Sequence, residues 1–232
     1  LRPGGHCLLV VDAPVRSWRP GHATERGLHP WRLLLDWADR VGFTVRDRLA
    51  YGRMGSRGAY TGRFRNDWEP MFWFQRPGNN VYFDKSTLDS HGRSVKPAGE
   101  YVKSRRSDGS FYRRRSSGDA ITRNVVRRGT LWNYGQVGRG HSGDIELEDT
   151  AHPARFPARL ANDVVRCFSP SGGLVCDPFV GSGTTALSAA KHGRRFVGGD
   201  LGARERDGRR WADIARERAM EIVDPVQQRL FV

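Results

Sequence analysis

The amino-acid sequence predicts an α/β fold whose mostly parallel sheet ends in an antiparallel hairpin. Residues 174–201 show a strand, a glycine turn, a helix and a second strand, the unit that places two strands parallel to each other. Residues 7–11 form the continuous apolar run that is typical of a strand buried on both faces. Residues 43–49 alternate between apolar and polar side chains, and the apolar residues 71–74 follow as a second strand, so together they predict the hairpin.

The first 76 residues predict strands and one helix. A turn over residues 1–5 leads into the first strand, and apolar side chains recur at helical spacing from residue 28 to residue 41. This spacing predicts an amphipathic helix that packs on the sheet and is ended by Gly42. Because the chain begins at Leu1, already in the approach to a strand, we expect the sheet to be incomplete at its N-terminus.

Residues 77–150 differ in composition from the rest of the chain. They are rich in Gly, Ser and Arg with few periodic apolar positions, which is typical of a functional insertion or of a solvated loop. The formal net charge is +14, and residues 101–128 hold nine basic side chains against two acidic ones, a net charge of +7. This concentration indicates a polyanionic partner. The candidates for phosphate contact are Lys103, Arg105, Arg106, Arg113, Arg114, Arg115, Arg127 and Arg128, and the aromatic candidates for base contact are Tyr101, Phe111, Tyr112, Trp132 and Tyr134.

Residues 151–232 predict a third part of the chain that carries the glycine turn. A helix over residues 158–168 has its apolar residues on one side and leads into the strand that begins at Leu174. A last helix is predicted over residues 204–222, with Trp211 and Ile222 buried, and Pro225 blocks its continuation.

Composition excludes several classes of protein. A hydrophobic content of 38% with seven Trp and eleven Phe is enough for a core, and no stretch of 18 apolar residues predicts a membrane span, so we expect a soluble cytoplasmic protein without a membrane partner. The three cysteines form no C-x-x-C pair and lie in apolar segments, which favours buried free thiols. The seven histidines lack the spacing of metal ligands, so no metal site is expected.

The glycine turn limits which nucleotide-type ligand fits. No Lys follows Gly183, which argues against a phosphate-gripping NTPase loop, and the G-x-G-x-x-G fingerprint of dinucleotide enzymes is absent because Ala186 occupies its last position. The ligand class that remains has a ribose but no pyrophosphate. An acidic residue after the second strand accepts hydrogen bonds from ribose hydroxyls in such sites, and here it is Asp200.

The segment D-P-F-V-G-S-G-T-T at residues 177–185 resembles the D-P-F-x-G-S-G-T-T signature of S-adenosylmethionine-dependent DNA amino-methyltransferases. Residues 152–157, H-P-A-R-F-P, resemble the H-P-x-x-F-P element of the same family. The order of the segments resembles the permuted class, in which the catalytic motif precedes the cofactor motif. The resemblance implies a Rossmann-like methyltransferase fold with S-adenosylmethionine bound by Asp177, Pro178, Phe179, Gly181, Gly183, Thr184, Thr185, Asp200, Phe156 and Pro157.

The resemblance also implies a reaction and a substrate. A methyl group would pass from S-adenosylmethionine to N4 of cytosine or N6 of adenine in double-stranded DNA, in a prokaryotic or phage-encoded system. A restriction endonuclease partner and a homodimer both stay open. Residues 1–76 would then belong to the catalytic half, residues 77–150 to target recognition and residues 151–232 to cofactor binding.

The expected catalytic motif departs from the family pattern. The family carries D-P-P-Y or S-P-P-Y, in which an aromatic ring stacks on the flipped base. The corresponding residues 12–15 read D-A-P-V, and a valine does not stack on a base as an aromatic ring does. Asp12 is the candidate catalytic residue, and the alternative is that this segment is only a strand end and loop. We therefore expect cofactor binding and weak or no independent methyl transfer.

Other classes of function stay open from the residues alone. A catalytically inactive, basic nucleic-acid-binding protein with the same fold would fit both the broken motif and the charge. An RNA or protein methyltransferase fits the signature at residues 177–185 less well. A ribose-binding oxidoreductase lacks its glycine spacing here.

Overall fold

The computed structural model describes residues 1–12, 27–52, 66–79, 81–88, 90–91, 101–115, 125–126, 128–134, 156–205 and 207–222. The chain divides into two compact units. The first combines Leu1–Asp84 with Thr130–Val232, and the second is Lys85–Gly129.

The helices and strands follow one another in the order of the chain. They are β1 (His6–Val10), α1 (His29–Asp39), β2 (Thr44–Gly52), β3 (Trp68–Gln75), a short 3-10 turn (Lys85–Leu88), β4 (Ser90–His91), β5 (Tyr101–Arg105), β6 (Phe111–Arg115), β7 (Val125–Val126), β8 (Leu131–Asn133), α2 (Ala158–Phe168), β9 (Leu174–Asp177), α3 (Thr184–Lys191), β10 (Arg195–Gly198) and α4 (Trp211–Ile222).

The main sheet is mixed, so the prediction of a mostly parallel sheet is wrong for the described residues. Its order is β1-β3-β2-β8, with β3 antiparallel to both neighbours and β2 parallel to β8. In β3, Met71, Phe72 and Phe74 are fully buried and Trp73 nearly so. Because β3 is apolar on both faces, it takes an interior position in the sheet, and both of its neighbours, β1 and β2, pair antiparallel with it. The strand-helix-strand unit β9-α3-β10 forms a separate parallel pair, as predicted.

Aromatic side chains fill both faces of the main sheet. On one face Leu34 and Trp37 of α1 pack with Phe72, Phe74 and Phe43. On the other face the Trp73 ring lies 4.7 Å from the Phe83 ring and 4.9 Å from the Phe168 ring of α2. The residues 71–74 therefore form core.

A second core surrounds α3, the helix that follows the glycine turn. Ala186, Ala189 and Ala190 pack with Phe196 of β10, Val180 of the turn and two alanines of α4. The small alanine side chains permit this close packing because they let the backbones of neighbouring elements approach each other. The second helix predicted from the sequence, α2, has the predicted bounds and also packs on α3.

Three predictions about the helices and cysteines are wrong in part. The last helix begins at Trp211 and not at residue 204, because Arg204 pairs with Asp207 and Gly208 adopts a left-handed φ of 70° in a turn before the helix. Ile222 is exposed rather than buried. Cys176 is also exposed, since it lies on an unpacked face of β9, whereas Cys167 is buried.

The predicted helix over residues 28–41 is shorter and less buried than expected. It spans His29–Asp39, with Pro30 in its first turn, and Gly42 follows with a φ of 76°. Leu28, Leu35 and Val41 are exposed, because the sheet covers only the side of α1 that carries Leu34. None of the helices in the described ranges is long and apolar enough to cross a membrane.

Candidate cofactor site

Two aspartates lie at the ends of neighbouring parallel strands. Asp177 is the last residue of β9 and pairs in register with Gly198, the last residue of β10. Asp200 follows Gly198 by two residues, so both carboxylates lie at the carboxyl edge of this strand pair. Ligands of open α/β sheets bind at this edge.

Asp177 links the end of β9 to the start of α3. Its Oδ1 accepts a hydrogen bond from the Phe179 backbone N–H at 3.0 Å, and its Oδ2 accepts one from the Thr185 hydroxyl at 2.6 Å. Hydrogen bonds to a charged acceptor are shorter and stronger than neutral ones. The carboxylate thus fixes both ends of the glycine turn.

Asp200 holds the middle of the same turn. Its Oδ2 accepts a hydrogen bond from the Gly181 N–H at 2.9 Å, and its Oδ1 accepts one from the Gly202 N–H at 2.7 Å. A carboxylate offers about four acceptor positions, so two backbone donors leave capacity for further donors.

The backbone of the turn is packed too closely for side chains at its second glycine. Gly183 has a φ of 95°, and a Cβ there would lie 2.8 Å from the Ala215 Cα of α4. The Val180 N–H donates to the Gly199 carbonyl at 2.9 Å, and Arg218 of α4 donates to the Ser182 carbonyl at 2.6 Å. Strand, turn and final helix therefore form one hydrogen-bonded assembly.

Two large apolar side chains are exposed next to the carboxylates. Phe179 is 81% exposed, and Leu201 is fully exposed directly after Asp200. The family signature includes Phe179, but it predicts neither Leu201 nor the hydrogen bond from Arg218. An apolar residue immediately after the strand-terminal acid was the available signal for Leu201.

The remaining predicted cofactor residues lie around the start of two helices. Thr184 is buried as the first residue of α3. Phe156 is half-buried, and Pro157 is buried as the residue that caps the N-terminus of α2. The Asn162 amide oxygen accepts the Ser188 hydroxyl at 2.9 Å, which anchors α2 to α3. Pro178 lies in the turn between Asp177 and Phe179.

Asp12, the candidate catalytic residue, lies two residues beyond β1 and is half-buried. The Asn66 side-chain amide donates to its Oδ2 at 3.2 Å. Residues 13–15, the rest of the motif, lie outside the described residues.

The predicted nucleic-acid contacts concentrate on one hairpin. Lys103 and Arg105 belong to β5, Arg113, Arg114 and Arg115 to β6, and Arg106 to the turn between the strands. Arg128 is half-buried, and Arg127 lies outside the described residues.

Two of the predicted base-contacting aromatics serve other purposes. Trp132 is only 3% exposed, because β8 pairs with β2 and buries it, so the prediction is wrong for this residue. The Tyr134 hydroxyl donates to Asp163 at 2.7 Å. Phe111 and Tyr112 are exposed, on the hairpin.

Comparison with known proteins identifies several relatives. A DNA methylase family profile, N6_N4_Mtase, matches residues 11–207. The type II methyltransferase M.ScaI of Streptomyces caespitosus is 34% identical over 130 residues, which cover 56% of this chain and 38% of M.ScaI. The orphan methyltransferase M.BamHII of Bacillus amyloliquefaciens is 29% identical over 224 residues, which cover 93% of this chain and 78% of M.BamHII.

Solved structures show the same fold. The PvuII DNA methyltransferase (cytosine-N4-specific) superposes with a TM-score of 0.61 at 16% identity, over 99% of this chain and 68% of that protein. A putative DNA modification methylase of Thermus thermophilus, in complex with S-adenosyl-L-methionine, superposes with a TM-score of 0.56 at 21% identity, over 96% of this chain and 72% of that protein. The architecture is thus Rossmann-like, as these neighbours are, with the mixed main sheet described above.

Proposed function

The chain belongs to the N6_N4_Mtase family of DNA methylases, and from that premise we propose that it transfers a methyl group from S-adenosylmethionine to an exocyclic amino group of DNA. The acceptor is N4 of cytosine or N6 of adenine. The observation that carries this proposal is the pair Asp177 and Asp200 at one edge of two parallel strands, joined by the glycine turn. We also propose that the protein acts in the cytoplasm of a prokaryote, encoded there or by a phage, as the bacterial relatives suggest.

The residues at this edge fit S-adenosylmethionine. Asp200 retains acceptor capacity beyond its two backbone donors, which suits ribose hydroxyls. Phe179 and Leu201 expose apolar surface that an adenine ring would cover. Gly181 and Gly183 keep side chains out of the turn, so a ligand can approach its backbone. When bound, the cofactor supplies a sulfonium methyl group as the electrophile.

The side chains around the cofactor edge have positioning tasks in this proposal. Asp177 holds the turn through Phe179 and Thr185, so the Asp200 carboxylate faces the ligand in a fixed orientation. Phe156 and Pro157 lie directly before α2, the helix that is hydrogen-bonded to α3, and would border the methionine end of the ligand. Preorganised contacts of this kind lower the barrier by holding the reacting atoms in line.

Asp12 is the proposed acceptor for the target amino group. The cofactor would supply the methyl group with its sulfur as the leaving group, and the proton that the target amino nitrogen loses would pass to solvent. A carboxylate can accept a hydrogen bond from that amino group, and the Asn66 amide orients the Asp12 carboxylate. Lys103 of β5 and Arg113, Arg114 and Arg115 of β6 would neutralise DNA phosphates.

Titration calorimetry with S-adenosylmethionine tests this function. We expect the wild type to bind and Asp200→Ala to bind at least about tenfold more weakly, because a ribose hydrogen bond to a charged acceptor contributes about 1.5–3 kcal/mol. Glu221→Ala, which removes an exposed carboxylate from the end of α4, is the matched control and should bind like the wild type. Circular dichroism checks that all three proteins are folded.

Transfer of a labelled methyl group to duplex DNA then separates an enzyme from a binding protein. Binding of the cofactor together with transfer that falls in Asp12→Asn supports the full proposal. A folded wild type that binds no S-adenosylmethionine would refute it and would leave a basic nucleic-acid-binding protein.

A further inference from the structure

The hairpin of β5 and β6 is an ordered two-stranded ribbon. Its strands pair antiparallel from Tyr101 opposite Arg115 to Arg105 opposite Phe111. At the tip the Arg106 N–H donates to the Ser110 carbonyl at 2.8 Å, and the Gly109 N–H donates to the Arg106 carbonyl at 3.0 Å. Gly109 has a φ of 88°, which suits the last position of a three-residue hairpin loop.

Each face of the tip carries one arginine beside one aromatic ring. Arg105 and Phe111 are opposite each other in the register, so their side chains share a face. Arg106 and Tyr112 follow them by one residue, which places them on the other face. All four side chains are exposed, and Phe111 is 59% exposed.

Each of the two guanidinium groups makes its contacts with neighbouring residues of the hairpin tip and is otherwise exposed. The Arg106 guanidinium lies 4.8 Å from the centre of the Tyr112 ring, and its Nη1 donates to the Ser110 hydroxyl at 3.2 Å. The Nε of Arg105 donates to the Gly109 carbonyl at 3.4 Å. Within the described part of the chain, the terminal nitrogens of Arg105 have no hydrogen-bond acceptor, whereas Arg204 is buried against Asp207.

We propose that this tip enters the major groove of duplex DNA and that Arg105 and Arg106 read guanines there. This inference rests on the proposed function, because it takes DNA as the substrate. The major groove is about 12 Å wide and admits a two-stranded ribbon. The arginine fork matches O6 and N7 of guanine, so two arginines on opposite faces of one tip address two nearby guanines.

Three features favour base reading over contact with phosphates alone. The ring of Tyr112 and the Ser110 hydroxyl restrict the Arg106 fork before binding, and a preorganised fork loses less entropy per hydrogen bond. Arg113, two residues from Phe111, adds a charge further from the tip, where the groove is lined by phosphates. The Asp108 carboxylate accepts a hydrogen bond from the Ser110 N–H at 2.8 Å, and this bond stabilises the turn between the two strands.

Selection of binders from a random duplex library tests the inference with the full chain. We expect the wild type to enrich a sequence that contains at least two guanines. Arg106→Lys keeps the charge but removes the fork, so enrichment at one guanine should fall roughly 5- to 150-fold while affinity for random DNA stays near that of the wild type. Arg105→Lys should do the same at the second guanine. Arg32→Lys, an exposed arginine of α1, is the matched control and should leave enrichment unchanged.

Replacement of the enriched guanines by 7-deazaguanine identifies the groove, because it removes the N7 acceptor from the major groove. With the replacement confined to the one guanine that Arg106→Lys no longer enriches, the wild type should bind about as weakly as Arg106→Lys, and Arg106→Lys should be insensitive to it. Wild-type binding that ignores 7-deazaguanine, enrichment unchanged in both lysine variants, or no enrichment by the wild type would each overturn the inference. Methyl transfer is not the readout, so failure of the hairpin inference with intact S-adenosylmethionine binding leaves the proposed function standing.

Discussion

The glycine turn of the cofactor site and the tip of the β5-β6 hairpin use the same backbone conformation in opposite surroundings. Gly183 has a φ of 95° and Gly109 a φ of 88°. A Cβ on Gly183 would lie 2.8 Å from the backbone of α4, whereas the described atoms nearest to a Cβ on Gly109 belong to the flexible Arg105 guanidinium, at 3.5 Å. Turn geometry therefore favours glycine at both positions, and packing adds a second requirement at Gly183.

The aspartates of the two regions repeat this contrast. Asp177, Asp200 and Asp108 each accept a hydrogen bond from the backbone N–H two residues further along, at 3.0, 2.7 and 2.8 Å. Asp177 and Asp200 use their second oxygen to bind another part of the site. One local motif thus builds a rigid pocket edge where its second oxygen has a distant partner, and a simple turn where its contacts stay local.

The largest effect expected is that of Gly183→Ala. Non-glycine residues in this φ region carry about 1–3 kcal/mol of strain, and the clash with Ala215 adds about 1–3 kcal/mol, so the free energy of unfolding should fall by about 2–6 kcal/mol. Gly109→Ala has the same backbone strain but no clash with a rigid neighbour, so the free energy of unfolding should fall by only about 1–3 kcal/mol. Urea unfolding followed by circular dichroism measures both variants. Equal losses would show that the contrast between the regions is wrong.

Asp200→Asn is expected to have the next largest effect. An asparagine has one carbonyl oxygen, so either the Gly181 or the Gly202 N–H would face an amide N–H. An unsatisfied donor of this kind costs about 1–3 kcal/mol of stability. Asp108→Asn makes the same change at the hairpin tip, where solvent reaches the group, and should not move the urea midpoint. A midpoint shift in Asp108→Asn as large as that in Asp200→Asn would contradict the distinction.

The first unit and the β5-β6 hairpin should lose stability in different pH ranges. The Trp73 indole donates to His6 Nδ1 at 3.1 Å, and His6 Nε2 lies 2.6 Å from the Tyr82 carbonyl, which suits a neutral ring. Burial lowers the pKa of His6, and the pKa of His192 is lowered by burial and then by neighbouring arginines. Because the unfolded chain binds these protons more readily, stability of the first unit is full above pH 6.5 and falls as the pH drops through the lower folded values.

The hairpin should respond only at more acidic pH. The Ser110 side chain and backbone lower the pKa of Asp108, so the contribution of Asp108 to stability is present above the ordinary value of 3.8 and is lost as the pH falls through the folded value.

The lowered pKa of His6 is tested by comparing the urea midpoint of unfolding at about pH 7.5 with that at about pH 5.5. The two midpoints should differ in the wild type, and less so in His6→Gln. An identical pH dependence in His6→Gln would exclude His6 as a source.

The sequence predicts the locally determined parts of this fold well. The bounds of α2 and the strand-turn-helix unit at residues 174–201 follow from periodicity and glycine spacing within a short window. The central place of β3 and the burial of Trp132 do not, because both depend on pairing with strands that are distant in the chain. Leu201 has a local signal, its position directly after the strand-terminal acid, but its full exposure beside the site is visible only in the assembled strand pair.

The smallest of the expected effects is a change in the rate of thiol labelling. This rate distinguishes a disturbance confined to the hairpin from one that reaches the first unit. Cys176 is exposed and should react first with a disulfide reagent at about pH 8, whereas Cys167 is buried and burial raises the pKa of the Cys7 thiol, which keeps its thiolate scarce. All three cysteines belong to the first unit, so a disturbance confined to the hairpin is silent in this assay. Gly109→Ala should therefore keep one fast and two slow thiols, and Gly183→Ala should speed the reaction of Cys167. Faster labelling of Cys167 in Gly109→Ala would mean that strain at the hairpin tip spreads into the first unit, contrary to the division drawn between the two glycines.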